Sequence, residues 1–224
     1  MKEGDPYPEE LSRTVSNRLT SGINQRVRVL RRQIETFRRN LAQVGANEIA
    51  RRYFVMNAFD GALTILGVIV GFVVSGGGSP RLVLSAGAGA SLAMGISGAV
   101  GAYMAETAER RQQLRELENH LFRSLEGSRI DRAAHQAALW VAFVDGISPA
   151  LAAGIPIIPF LLVLKGIVVL QVGIIASLIL NLVMLFILGI FLGKVSGENI
   201  WLRGLLMVGA GVLTALILLA LSVI

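Results

Sequence analysis

The sequence predicts an all-α fold: a polytopic membrane bundle of five transmembrane helices, preceded by a long cytoplasmic amphipathic helix. The 224-residue chain is 54% hydrophobic and only 16% charged. Its mean hydropathy is +0.65, which is too apolar for a soluble domain of this length. Five stretches are apolar over about 20 residues or more, which is the length that crosses a bilayer. About 50 polar residues precede them, so no cleavable signal peptide is expected.

We divide the chain into a cytoplasmic helical region, residues 1–52, and a transmembrane domain, residues 53–224. The predicted spans are about 54–75, 82–104, 138–163, 166–192 and 202–224. Tight turns containing Gly separate the first span from the second and the third from the fourth. The charged connection of about 105–137 is predicted to be a cytoplasmic helical insertion. Its helix continues from the second span, because no Pro or Gly interrupts it before Gly127.

The N-terminal region has the apolar spacing of a long amphipathic helix. Apolar residues recur every three or four positions, with Arg between them. These residues are Leu11, Val15, Leu19, Ile23, Val27, Leu30, Ile34, Phe37, Leu41 and Val44. Two interpretations remain open: a helix that packs on its own bundle or on the membrane surface, and a coil that dimerises.

The distribution of basic residues predicts the orientation. Nineteen Lys and Arg fall on the N-terminal side of the membrane and two, Arg81 and Lys165, on the other. Basic residues favour the cytoplasm, so the N-terminus is predicted inside and the C-terminus outside. The net charge of +6 has the same origin and does not indicate binding to nucleic acid. Because the basic residues are mostly Arg, we expect a prokaryotic cell membrane.

Two aspartates, Asp60 and Asp145, interrupt the apolar stretches, and each is followed by Gly. An ionisable side chain inside a bilayer costs roughly 2.5–3.5 kcal/mol on insertion scales. Such residues usually serve a function, so they indicate a pathway for a cation or a proton. The matching contexts predict a parallel duplication of a two-helix unit, with both aspartates at similar depth.

Polar and thioether side chains surround the first aspartate. Met56, Asn57, Asp60 and Thr64 follow one helical stripe. Borderline divalent cations such as Fe²⁺ and Mn²⁺ accept a thioether, an amide oxygen and a carboxylate together. Alternatively, Met56 only packs and Asn57 bonds a neighbouring helix.

Acidic residues also recur on the predicted cytoplasmic helix. Glu106, Glu109, Glu116 and His120 fall near one face, with Arg between them. A solvated, salt-bridged helix has this pattern. A surface that collects metal ions would have it too. The chain has no cysteine, which excludes disulfides and thiolate metal sites.

Three segments of the chain resemble the vacuolar iron transporter family. Residues 57–64, NAFDGALT, look like its first-helix Asp-Gly-Leu-Val-Thr motif. Residues 97–103, SGAVGAY, look like its second-helix Ser-Met-Ala-x-Gly-Glu-Tyr motif. Residues 189–204, GIFLGKVSGENIWLRG, are similar to the hairpin between its last two helices.

The resemblance implies a proton-coupled exporter of Fe²⁺ or Mn²⁺. It further implies a homodimer whose ion path lies near the dimer axis and is lined by the first helices. Asp60 would be the transport carboxylate. Glu106 and Glu109 would match the acidic start of the family's cytoplasmic metal-binding helices.

The chain departs from the family pattern at several positions. Gly98 stands where the motif has Met, and Ala102 where it has Glu. Met94, one turn earlier, is the candidate to replace the missing thioether. The 105–137 connection is short. Asp145 is outside the motif, so it is predicted to be a second ligand or a proton carrier.

We therefore predict a membrane transporter that exports Fe²⁺ or Mn²⁺ by proton antiport, and not an enzyme. The expected partners are the lipid bilayer, the transported ions and a second copy of the chain, and no resident cofactor is expected. The alternative is a non-transporting membrane scaffold. An intramembrane aspartyl protease is a third hypothesis, but the usual Tyr-Asp and Gly-x-Gly-Asp contexts are absent.

Overall fold

A computed structural model describes residues 31–32, 35–42 and 44–221. These residues form long helices and no strand. The five long helices are α1 (Ala46–Val74), α2 (Pro80–Leu121), α3 (Arg129–Leu164), α4 (Leu170–Ser196) and α5 (Ile200–Leu221). Each is long and apolar enough to cross a membrane. The predicted all-α fold with five spans is therefore confirmed.

The described part of the N-terminal region is helical over residues 31–32 and 35–42. A turn at Gly45, whose φ is +63°, separates it from α1. Leu41 is buried against the N-terminal parts of α1 and α3, and the Phe37 ring meets Trp140 edge-on. This part packs on its own bundle. The earlier apolar residues of the predicted amphipathic helix, and with them the dimerisation hypothesis, lie outside the described residues.

Helix α2 is one unbroken helix of 42 residues. At 1.5 Å per residue it is about 63 Å long, roughly twice the thickness of the hydrocarbon layer. The predicted continuation of the helix beyond the apolar part of the second span is confirmed. The helix ends at Leu121 and not at Gly127, because Phe122 takes a left-handed conformation with φ +50°. The Glu118 carboxylate then accepts the Leu125 N–H at 2.6 Å and holds the turn.

Residues 105–137, the predicted helical insertion, are divided between two long helices. The first half is the extension of α2, and the second half already belongs to α3. Helix α3 begins at Arg129, nine residues before the predicted span, and the Ser128 hydroxyl caps it by accepting the Asp131 N–H at 3.2 Å. Likewise α1 begins at Ala46 and not near residue 54. Hydropathy marks where a helix becomes apolar, whereas local signals mark where it begins: the Ser128 cap for α3 and the left-handed Gly45 for α1.

Close helix crossings fix the arrangement. Helix α1 contacts all four other helices. At Gly61 of α1 an added Cβ would lie 2.7 Å from backbone atoms of Pro149 in α3. At Gly95 of α2 it would lie 2.5 Å from the Gly146 carbonyl oxygen, also in α3. Small residues allow backbones in a membrane bundle to approach this closely. Both glycines that follow the two aspartates therefore lie at helix crossings.

Candidate functional site

A buried amide–carboxylate pair joins α1 to α3. Asp145 is only 2% exposed. Its Oδ1 accepts a hydrogen bond from the Asn57 side-chain amide. The polar pair lies against Gly98 of α2, where an added Cβ would lie 2.7 Å from Asn57 Nδ2 and 2.8 Å from Asp145 Oδ2. Three helices thus build the site. Helix α2 takes part through Gly98, which leaves space for the two polar side chains.

The backbone around Asp145 is also satisfied. Pro149 has no N–H, so it cannot donate to the carbonyl of Asp145 four residues earlier. The hydroxyl of Ser148, which is fully buried, donates to that oxygen at 2.8 Å instead. In a bilayer a freed carbonyl needs such a partner. The Ser148 hydroxyl therefore replaces the hydrogen bond that Pro149 cannot make, and the Asp145 carbonyl keeps a partner.

Asp60 lies on a different side of α1. Its side chain is exposed on the surface of the single chain, as is Met56, which is 59% exposed. The Asp60 carboxylate is nevertheless close enough to Asp145 for the two charges to interact. The predicted stripe therefore divides: Met56 and Asp60 face outward, and Asn57 turns inward to Asp145.

A thioether lies beside this site. The Thr64 hydroxyl is 3.4 Å from the sulfur of Met94, which is half-buried on α2. Met94 precedes Gly98 by one helical turn. The candidate ligands Met56, Asn57, Asp60, Asp145 and Met94 thus lie on α1, α2 and α3. Their role in binding an ion stays a prediction.

The carboxylates alone do not form a complete metal site within one chain. Among residues 31–32, 35–42 and 44–221, no group of three or more His, Cys, Asp or Glu side chains converges as a metal ion requires. Two carboxylates in the membrane need additional ligands. The available ones are the amide, the thioether, water or the same residues of a second copy.

Glu106, in the extension of α2, is not a free carboxylate. It is 5% exposed and forms an ion pair with Arg110, which is 6% exposed, at 3.2 Å. The sequence showed Arg interleaved with Glu. The four-residue spacing was a signal for this pair, whereas its burial depends on contact with α3.

The other predicted metal-collecting residues are exposed. Glu109 and Glu116 each accept a hydrogen bond from a Gln side chain at 3.1 Å. His120 lies with Nδ1 2.6 Å from the Glu116 carbonyl oxygen. Such contacts are typical of a solvated helix. A metal-collecting role for Glu106, Glu109, Glu116 and His120 stays a prediction.

Asn181 makes a polar contact between two helices. It is fully buried, and its side chain donates to the Ala62 carbonyl oxygen at 3.0 Å. The bond joins α4 to α1 two residues beyond Asp60.

Comparisons with known proteins agree on one family. The chain matches the VIT family over residues 51–129 and 118–222. An uncharacterized protein of Methanocaldococcus jannaschii is 34% identical over 175 residues, which cover 76% of this chain and 87% of that relative. No solved structure matches.

Proposed function

Because the chain belongs to the VIT family, whose members transport metal ions across membranes, we propose that it exports Fe²⁺ or Mn²⁺ from the cytoplasm in exchange for protons. One observation supports this most directly. Two carboxylates, Asp60 on α1 and Asp145 on α3, lie within membrane-crossing helices, and their charges interact. A pair of this kind is expensive in lipid and is typical of an ion or proton pathway.

The two aspartates have different surroundings, and we assign them different roles. Asp60 is exposed on its helix, so an ion and its remaining ligands have room to approach. Asp145 is enclosed by Asn57 and the backbone of Gly98, which leaves little room for a metal ion with several ligands. A proton needs no such space. Asp60 therefore binds the metal, with Met56 and Met94 as candidate thioether ligands, and Asp145 carries the proton.

This division gives a physical reason for exchange. With both carboxylates ionised and no ion bound, the site holds two negative charges in a medium that solvates them poorly. One divalent ion neutralises both charges, and so do two protons. The empty, doubly charged state is the costly one, so the site changes its access to the two sides when loaded with either metal or protons.

Flux measurements in proteoliposomes test the proposal. Wild type, Asp60→Asn and Asp145→Asn are compared under a pH gradient with Fe²⁺ or Mn²⁺. The matched control is Glu126→Gln, which removes an exposed carboxylate outside the membrane. We expect gradient-driven flux in wild type and control, and none above background in Asp60→Asn. Asp145→Asn should lose the pH dependence but keep metal–metal exchange.

Unchanged flux in folded Asp60→Asn would refute this mechanism. A folded wild type without flux would favour the alternative, a non-transporting membrane scaffold. The protease hypothesis receives no support from the geometry. Two catalytic aspartates share a proton in similar surroundings, whereas here one is exposed and the other is buried and bonded to an amide.

We also propose that the transporter is a homodimer in a prokaryotic cell membrane, with its N-terminus in the cytoplasm. An exposed Asp60 facing lipid would cost several kcal/mol. A second copy packed against this side of α1 would cover it and would bring a second Asp60 and Met56 to the same path.

A further inference from the structure

A cavity of about 130 Å³ lies between α2 and α3 at their cytoplasmic ends. Thr107, Arg110 and Arg111 line it from α2, and Asp131 and His135 from α3. Five buried side-chain nitrogen or oxygen atoms in the described part of the chain have no hydrogen-bond partner. They are Thr107 Oγ1, Arg110 Nε, Arg110 Nη2, Ser177 Oγ and Asn181 Oδ1. Three of the five belong to residues that line this cavity.

The ion pair with Glu106 accounts for only one of these atoms. Arg110 Nη2 lies 3.2 Å from the Glu106 carboxylate, whereas Arg110 Nε and Thr107 Oγ1 have no partner. A buried donor without a partner destabilises the fold. Arg110 is only 6% exposed, so bulk water does not accept hydrogen bonds from its buried donors. A ligand in this cavity that offers acceptor oxygens could supply the missing partner of Arg110 Nε.

The chemistry of the lining indicates which acceptor fits. A guanidinium edge and a hydroxyl point to an oxyanion with several acceptor oxygens. Arg111 adds a second guanidinium that forms no ion pair with any residue the structure describes. Asp131 opposes an anion, but its Oδ2 already accepts the Gly127 N–H at 3.0 Å. The volume equals that of roughly four waters, which accommodates a tetrahedral group of four oxygens.

We propose that this cavity binds a phosphate group through Thr107, Arg110 and Arg111. Thr107 lies one turn, or about 6 Å, beyond Tyr103 at the end of the apolar part of α2. That is the height of the lipid headgroups, which extend roughly 5–8 Å beyond the hydrocarbon layer. The phosphate could belong to a lipid headgroup or be free in the cytoplasm, and both sources present the same oxygens.

Binding to the purified full-length protein in a maltoside detergent, which contains no phosphate, tests the proposal. One arm titrates inorganic phosphate and the other short-chain phosphatidylglycerol, each followed by native mass spectrometry and thermal melting. Thr107→Val and Arg111→Gln remove donors while keeping the Arg110–Glu106 pair. Arg132→Gln is the control, because Arg132 is exposed and does not line the cavity. Arg110→Gln is avoided because it would strand a buried carboxylate.

We expect saturable binding that Thr107→Val and Arg111→Gln each weaken about tenfold, the effect of one charge-assisted hydrogen bond. Arg132→Gln should change it less than about twofold. Binding of phosphate identifies a soluble source, and binding of phosphatidylglycerol alone identifies a lipid headgroup. Either pattern supports the site. Binding of neither ligand, or equal binding by all three variants, would overturn it and leave the cavity to water.

Discussion

Gly98 determines what the centre of the site contains. The amide of Asn57 and the carboxylate of Asp145 occupy the space that a side chain at position 98 would need. The motif that this segment resembles has Met there. A bulky thioether at 98 and a buried carboxylate at 145 exclude each other in this arrangement. The departure at Gly98 and the extra aspartate are therefore two parts of one structural change.

Gly98→Ala should separate this pair. The added methyl group lies under 3 Å from both polar side chains, so we expect a loss of about 1–3 kcal/mol, as for other overpacked sites. Thermal melting in detergent measures it. Gly89→Ala on the same helix is the control, because nothing lies within 4 Å of an added Cβ there. Adding Asp145→Ala to Gly98→Ala should restore stability but not pH-driven flux. If Gly98→Ala melts like Gly89→Ala, the close contact is wrong.

At the scale of helices, α3 remains continuous although it contains three prolines. Pro149, Pro156 and Pro159 all lie inside an unbroken helix. A proline within a helix normally leaves a backbone carbonyl without its partner. At Pro149 the carbonyl is not free, because the Ser148 hydroxyl bonds it. This bond makes the segment a rigid support for the carboxylate.

A double-mutant cycle measures that support. Ser148→Ala should cost about 1 kcal/mol in the free energy of unfolding, because it strands the Asp145 carbonyl. In the Pro149→Ala background a backbone N–H can reach that carbonyl, so the same change should cost close to nothing. Ser196→Ala, in an exposed last turn, should cost less than about 0.5 kcal/mol. Equal costs of Ser148→Ala in both backgrounds would show that the hydroxyl does not replace the missing N–H.

Hydropathy predicts helices well and their ends poorly. The five spans and the continuity of α2 follow from apolar length and the absence of breakers. The end of α2 at Phe122 does not, because a carboxylate from Glu118 stabilises the turn there. Periodicity also placed Asn57 and Asp60 on one stripe without showing which neighbour each meets. Asn57 turns inward because Asp145 of α3 lies on that side, and Asp60 is exposed. The periodicity of one helix carries no information about where a neighbouring helix packs.

At the scale of the whole molecule, the bias of basic residues predicts an orientation that labelling can test. The chain has no native cysteine, so each introduced thiol reports alone. Arg81→Cys, at the start of α2, should react with a membrane-impermeant maleimide added outside intact cells. Glu126→Cys, in the turn before α3, should react only after permeabilisation. Both positions are exposed. The reverse labelling pattern would show that the N-terminus lies outside, and the proposed direction of transport would then be wrong.

The surface of the single chain also predicts where a second copy binds. Met94 and Gly98 of α2 contact α1, and the residues beside them on that flank are small: Ala90, Ser97 and Gly101. Small residues allow close helix association in lipid. We expect this flank to lie on the side of the uncovered Asp60, whereas the flank with Leu92, Ile96 and Val100 is bulky and exposed. A dimer through the small flank would cover the charge and form the path.

Cross-linking in native membranes tests this arrangement. Ser97→Cys should form a disulfide dimer under mild oxidation, because the twofold axis brings the two copies of an interface residue near each other. Ile175→Cys on α4 is the control, since it is 58% exposed and lies on another helix away from Asp60. It should stay monomeric under the same conditions. Cross-linking of Ser97→Cys should also fall when Ala93→Trp places bulk on this flank. If both cysteines react alike, or if the protein is a monomer by mass, Asp60 must be covered by lipid headgroups or water and not by a partner.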